Sequence, residues 1–379
     1  MRFEKDWGRL GLRYKNLSDF SIGKGTYGIS ASAVGKDDNL PTYLRITDIN
    51  DDGTINFASL KSVDRSDADK YRLQPNDIVF ARTGGSTGRS YFYDGKDGEF
   101  VFAGFLIKFS IDPQKCIPKF IKYYCQSREY YNWVASFNTG STRGNINAKT
   151  FEKMPIPDLP LEQQQLIVDV LSPIDDKIEN NKKINHHLEQ IGQELFEEIY
   201  YDGSSAQLGD IISTLESGSR PKGGAETDGI PSIGAENIER FGQYDYTKEK
   251  FISLEYFQKL KRGIVHSGDV LLYKDGAYTG KVSMALDDFP HAQCAINEHI
   301  FILRPNELAP SSFFLYFLLL HDKNKQALFS RASSKAAQPG LNQTEVKTLP
   351  ILLPKTEMIT KFESTIAPVM HQIAKNANE

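Results

Sequence analysis

The chain repeats itself, and few folds can accommodate that. PNDIVFARTGGSTG (75–88) aligns with SGDVLLYKDGAYTG (267–280) at a shift of 192, so Asp77, Gly84, Thr87 and Gly88 recur as Asp269, Gly276, Thr279 and Gly280. At the same shift Pro118, Tyr124, Phe137 and Ser141 recur as Pro310, Tyr316, Phe329 and Ser333, and Arg143 lands on Lys335. Leu17 and Asp19 find Leu208 and Asp210 at 191; Asn147, Pro155, Glu162, Leu171, Pro173 and Ile178 find Asn342, Pro350, Glu357, Ile366, Pro368 and Ile373 at 195. Similar shifts along the whole chain mean a tandem duplication. The order is domain, helix, domain, helix: 1–157, 158–203, 204–354 and 355–379.

The helical parts have their own pattern. In 159–201 the apolar residues Ile167, Leu171, Ile174, Ile178, Leu188, Leu195 and Ile199 make a coiled-coil-like stripe, with Phe362, Ile366, Val369 and Ile373 as its counterpart in the tail. Asn181 and Asn185 fall on the seam, where polar residues fix register. Ser172-Pro173-Ile174-Asp175 reads as a helix start, which predicts a kink after Leu171. The two helices are expected to pair antiparallel. The tail ends 11 residues past Pro368, while the first helix runs about 28 past Pro173. The stretch Leu188–Ile199 is therefore expected to lack an intrachain partner and to await another subunit or a second copy of the chain.

Each domain begins with mixed strand and loop. Asp77–Ala81, Phe105–Phe109, Asp269–Tyr273 and Ile300–Leu303 are short apolar runs bounded by Gly, Asp and Pro. A helix from Pro118 to about Phe137, and its copy from Pro310 to about Phe329, follow. The fold class is α+β: two mixed α/β domains separated by long helices.

Charge narrows the function. The chain carries 45 basic and 49 acidic residues, a net charge of −4, which argues against a nucleic-acid binder until the chain is divided. Residues 1–157 hold 23 basic and 18 acidic residues; 158–203 hold 3 and 11. Within the domains, 113–153 hold 7 basic against 2 acidic and 323–347 hold 5 against 1. Two locally basic regions at equivalent places suit two phosphate-facing surfaces. The candidate DNA-contacting residues are Arg82, Thr83, Ser86, Thr87 and Arg89 with Lys274, Tyr278, Thr279 and Lys281, and Ser141, Thr142, Arg143 and Asn145 with Ser333 and Lys335. Glycines permit close backbone approach, while hydroxyls and cations supply donors. The plain alternative for the glycine loops is a strand-to-strand turn. Tyr123, Tyr124, Tyr130, Tyr131 and Trp133 could stack on bases, but at helical spacing they suit core and rim better.

Other chemistries find little support. GAYTGK (276–281) lacks the glycine spacing of a phosphate-binding loop. Cys116, Cys125 and Cys294 show no metal spacing and no disulfide framework, and His186-His187 stands without a ligand cluster. No run is long and apolar enough to span a membrane, and the N-terminus carries no apolar signal segment. A cytoplasmic setting is expected, with no catalytic set, no metal and no cofactor in this chain.

GSTRGNINAKTFEKMPIPDLPLEQQQLI (140–167) and SPIDDKIENNKKINHHLEQI (172–191) carry a family resemblance. A Pro-Leu-x-x-Gln stretch ahead of an Asp-Asp-Lys-Ile helix resembles the central region of the specificity (S) subunit of type I restriction–modification enzymes. The resemblance implies two target recognition domains, each reading half of a bipartite site in double-stranded DNA, with the helices setting the gap. It implies two methyltransferase (M) subunits docked on the helical region and restriction (R) subunits joining them. The assembled complex would be a DNA adenine methyltransferase and ATP-dependent endonuclease, with S-adenosylmethionine, ATP and Mg²⁺ in the partner subunits. Two competing readings are a coiled-coil scaffold without a DNA role, which predicts dimers and no salt-sensitive DNA binding, and a two-lobed hydrolase, which predicts activity in the isolated chain.

Overall fold

The computed structural model describes residues 12–137, 144–276, 279–333 and 340–379. The chain divides into two compact units, Met1–Asp175 and Asp176–Glu379. Strands of the first unit are β1 (Tyr14–Asn16), β2 (Ser21–Tyr27), β3 (Thr42–Leu44), β4 (Lys61–Ser62), β5 (Asp77–Ala81), β6 (Ser90–Tyr93), β7 (Val101–Phe102), β8 (Leu106–Ile111) and β9 (Pro155–Pro157). Its helices are α1 (Pro118–Tyr124), α2 (Arg128–Ala135) and α3 (Ala148–Glu152); α4 (Leu161–Tyr200) begins here and ends in the second unit. The second unit adds β10 (Ser204–Gln207), β11 (Ile212–Ser217), β12 (Ile230–Ile233), β13 (Ile238–Arg240), β14 (Gln243–Tyr244), β15 (Phe251–Ile252), β16 (Val270–Tyr273), β17 (Val282–Met284), β18 (Ala295–Ile296), β19 (Ile300–Pro305) and β20 (Pro350–Leu353). Its helices are α5 (Leu254–Gln258), α6 (Ser312–Leu320), α7 (Asp322–Ser333), α8 (Gln343–Lys347) and α9 (Thr356–Asn378).

Sheet order repeats as the sequence does. The first unit has an antiparallel sheet β2-β8-β5-β6, a smaller sheet β4-β3-β7 and the pair β1-β9. The second has β11-β19-β16-β17, β15-β12-β18 and β10-β20, with a further pair, β13-β14. In β5 all five residues are buried, because the strand has a core on each face. Ile78 and Phe80 join Phe109, Phe120, Tyr130 and Phe151 under the helices, while Val79 and Ala81 join Tyr91, Phe100 and Phe102 on the other side. The recurring acids at the start of these strands are buried and paired. Asp77 accepts from Lys108 at 3.0 Å, and Asp269 from Arg304 at 2.6 Å.

Three helical expectations need correction. The predicted single helix from Pro118 to Phe137 is two, because Ser127 caps a new one by accepting from the Tyr130 N–H; its copy breaks at His321 between α6 and α7. Ser172-Pro173 is no helix start, since α4 runs unbroken for 40 residues, roughly 60 Å, with Pro173 inside it. Asp175 is not a cap but binds Lys122 (2.6 Å) and the Tyr123 hydroxyl (3.0 Å). Finally, Leu188–Ile199 does have an intrachain partner. Phe196 and Tyr200 are fully buried, with Phe196 against Phe314, Phe317 and Phe362, and Leu188, Leu195 and Ile199 pack on the same core. The apolar run of α6, not a longer tail helix, covers that half.

The antiparallel pairing of α4 with α9 is present. Lys177 meets Glu379 (3.1 Å), the Asn181 amide donates to the Asn376 carbonyl (3.0 Å), the Asn185 amide donates to the Ile373 carbonyl (3.2 Å), and Phe196 meets Phe362. Asn376 also donates to the Asn185 side chain at 2.8 Å, so both seam asparagines are engaged and Asn185 is buried. Asn181 and Asn376 are repeat-equivalent, 195 positions apart. Phe362, Ile366 and Ile373 are buried and Val369 packs beside them. The stripe fails at two positions: Ile174 and Ile178 are 51% and 46% exposed. The buried face of α4 instead steps through Gln164 and Val168 in the first unit, and through Asn185, Phe196 and Tyr200 in the second.

Candidate nucleic-acid interface

The first glycine loop joins β5 to β6 as a hairpin connection. The Gly88 N–H donates to the Ala81 carbonyl, and the Ala81 N–H to the Arg89 carbonyl (both 2.8 Å). Its copy closes the same way, Tyr273 with Gly280 and Lys281 (both 2.9 Å). Gly84, Gly88, Gly276 and Gly280 all have φ between 69° and 90°, which accounts for their recurrence on backbone grounds. Thr87 and Thr279 recur because each hydroxyl donates to the carbonyl three residues back, that of Gly84 or Gly276. The strand-to-strand turn is thus the right description of the loop's shape.

In the first copy the loop nevertheless meets the other candidate segment, at Asn145, and in the second it meets Gly340 and Leu341, past the candidates Ser333 and Lys335. Thr83 forms a bridge with Asn145, the Ile146 N–H donates to the Arg82 carbonyl (2.9 Å), and Thr87 donates to the Gly144 carbonyl (3.0 Å). In the second unit Asp275 bridges Gly340 and the Leu341 N–H donates to the Lys274 carbonyl (2.8 Å). Asn147 and Asn342, which follow, cap α3 and α8 by accepting from the N–H groups of Thr150 and Glu345. Ser141, Thr142, Arg143, Tyr278 and Lys335 lie outside the described residues. Ser333 ends α7 and is exposed; Ser86 is half-buried on the loop.

The loop cations divide into two kinds. Arg89 is committed: it donates to Asp51 (2.6 Å) and to the Ile49 carbonyl (3.0 Å). Lys281 does the equivalent work, reaching Glu239 (3.2 Å) and the Ile238 carbonyl (3.3 Å). These two anchor the loop. Arg82 and Lys274 sit instead over aromatic rings, Arg82 at 5.1 Å from the centre of Tyr27 and Lys274 at 4.8 Å from that of Phe301. The Nε of Arg82 is buried with no hydrogen-bond partner among the described residues.

Around these cations the two copies diverge. Strand register puts Tyr27 opposite Ile107 and Ser217 opposite Phe301. The Arg82 N–H donates to the carbonyl of Phe105, and the Lys274 N–H to that of His299, both at 3.0 Å. So Tyr27 and Phe105, 42% and 58% exposed, stand where the second unit has Ser217 and His299. His299 is flanked by Asp275 (2.9 Å) and Glu298 (3.4 Å), and Glu298 by Arg220 (3.1 Å). None of Tyr27, Phe105, His299, Glu298 and Arg220 was a sequence candidate. The available signal was that they break a frame that otherwise repeats.

The aromatic run on α1 and α2 is core and rim. Tyr124 and Tyr130 are buried, Tyr130 donates to the Gly88 carbonyl, and Tyr131 donates to the Asp51 carbonyl at 2.9 Å. Burial, with Asp51 nearby, pushes the Tyr131 hydroxyl up to about 12, so it stays a donor at neutral pH. Among the described residues no cluster of three or more His, Cys, Asp or Glu could hold a metal ion, and no helix is long and apolar enough to cross a membrane. The three cysteines are buried thiols.

Comparison with known proteins follows the same twofold division. Residues 17–190 and 205–379 each match a family model described as the type I restriction modification DNA specificity domain. The chain is 22% identical over 285 residues to the specificity subunit of the type I restriction enzyme MjaIX of Methanocaldococcus jannaschii, covering 69% of this chain and 65% of that one. It is 22% identical over 366 residues to the EcoKI specificity subunit of Escherichia coli, covering 88% and 76%. The match to the first of these spans just under two thirds of that relative's length. Among solved structures, the S subunit of a type I restriction–modification system from M. genitalium superposes with a TM-score of 0.54 at 14% identity, over 97% of this chain and 92% of that one.

Proposed function

The chain belongs to the type I restriction–modification DNA specificity family, and from that premise we propose that it is the non-catalytic recognition subunit of such a complex. Residues 1–157 and 204–354 are its two target recognition domains, each reading one half of a bipartite site in double-stranded DNA, and α4 and α9 form the spacer. The observation that carries this reading is the backbone joint that each glycine loop makes with the segment ahead of a short helix, 82–87 with 144–146 and 274–275 with 340–341. The frame is shared and the exposed chemistry differs, as two different half-sites require.

Partner subunits supply the chemistry. Methyltransferase subunits dock along the helical region, for which the exposed Leu166, Val170, Ile174, Ile178, Ile184 and Ile191 of α4 offer an apolar stripe. Restriction subunits join through them. S-adenosylmethionine, ATP and Mg²⁺ belong to those partners, the assembly methylates adenine and cleaves DNA with ATP, and the setting is cytoplasmic.

The test is co-expression with the methyltransferase subunit in a methylation-free host, followed by mapping of modified bases. A single bipartite motif with a fixed gap is expected, and exchanging residues 1–157 for those of a relative should change one half only. A stable complex that leaves DNA unmodified would sink the proposal.

A further inference from the structure

The geometry points to Arg82 as the side chain through which the first unit reads a guanine, in the major groove, by donating to N7 and O6. This rests on the proposed function and adds to it a residue, a base and an edge. Arg82 leaves the end of β5, and its backbone is held on both sides: its N–H donates to Phe105, and its carbonyl accepts from Ile146. Its guanidinium lies over Tyr27 at 5.1 Å. Tyr27 is fixed in turn, since its hydroxyl accepts from the Ala148 N–H (3.1 Å) at the start of α3. An arginine held on an aromatic ring loses less freedom when its planar fork meets two acceptors.

Three observations favour a base edge over a phosphate. The second cation of the loop, Arg89, is bound to Asp51 and Ile49 and holds the loop rather than DNA. Arg82 has no hydrogen bond or ion pair from its guanidinium among the described residues, and its buried Nε lacks an acceptor. Its surface neighbours Tyr27 and Phe105 are exposed aromatics, suited to the base edges and thymine methyls of a groove floor and poorly suited to a phosphate. The second unit has a lysine at this place, whose rotatable ammonium lacks the planar, fixed fork of arginine.

The experiment uses the purified complex of the full chain with its methyltransferase subunit. Modification mapping gives the motif, and the exchange of residues 1–157 assigns the half-site. Each guanine of that half is then replaced in turn by 7-deazaguanine, which lacks the N7 acceptor, and binding is measured for the wild type and for Arg82→Ala. One position should cost the wild type on the order of 10-fold or more in affinity, and the same replacement should cost Arg82→Ala little. Arg82→Ala should also relax the motif at that position alone, by about 10- to 100-fold in discrimination, with the other half-site intact. No sensitive guanine for the wild type, or a half-site without guanine, overturns the assignment without touching the proposed function. So does an even loss across all sites with an unchanged motif, the mark of a phosphate contact. A wild-type complex without any bipartite motif removes the proposed function, and this assignment with it.

Discussion

Gln164 shows what single side chains do in this protein. It is the Gln of the Pro-Leu-x-x-Gln stretch, and it is buried in the first turn of α4. Its side-chain oxygen accepts from the Ile117 N–H (2.9 Å) ahead of α1, and its amide donates to the Leu159 carbonyl (2.8 Å). One side chain thereby ties the start of the long helix to the helical layer of the first unit. The repeat-equivalent residue, Ile359, is fully buried and apolar, so the position demands burial and not an amide. Gln164→Ala strands the Ile117 N–H and should destabilise the first unit by about 2 kcal/mol, seen as a lower urea midpoint. The motif is visible in the sequence, but its reason is not, since Ile117 lies 47 positions away. The same limit hid the platform under Arg82. The glycines and threonines of the loop repeat because the backbone needs them, whereas Tyr27, Phe105 and His299, which face outward, are free to differ and left no pattern to find.

At the level of elements, α4 separates what periodicity reveals from what it cannot. The apolar stripe correctly marked a long helix and its pairing with α9, and the seam asparagines are engaged. Periodicity does not say which side a stripe faces when a helix has different neighbours along its length. Ile174 and Ile178 fit the seam by spacing and are exposed, while Phe196, outside the stripe, is the buried anchor. The break between α6 and α7 falls at His321, whose ring neighbours come from another part of the chain. His321 lies against Tyr200 at 4.7 Å between ring centres and near Phe196 at 6.0 Å. Burial lowers its tendency to protonate. The unfolded chain takes up that proton near its ordinary value of about 6.5 and the folded chain resists, so stability present at neutral pH is lost as pH falls below that value. His321→Gln should flatten the fall in urea midpoint between about pH 7.5 and 5.5; an unchanged slope would refute the role. Asn185→Leu tests the seam. It strands the Asn376 amide, so it should lower the melting temperature and loosen the pairing of α4 with α9, seen as faster hydrogen exchange in the last turns of α9.

For the molecule as a whole, the outward stripe on α4 is the proposed docking face. Ile174→Asp with Ile178→Asp changes half-exposed positions, so the free chain should melt within about 0.5 kcal/mol of the wild type. Co-purification with the methyltransferase subunit should fail; retention would place docking elsewhere. The joint between the helices carries a different consequence. Asn181 and Asn376 meet although they are the same residue of two repeats, and contacts on either side step outward in opposite directions. An antiparallel pair that crosses at equivalent residues has a local twofold axis there. Two identical chains of half this length could form that crossing with one another, each supplying the asparagine. The duplication therefore needed to invent no new interface. An ancestral homodimer, fused end to end, would already own this joint, and fusion would free its two halves to evolve toward different sequences of DNA.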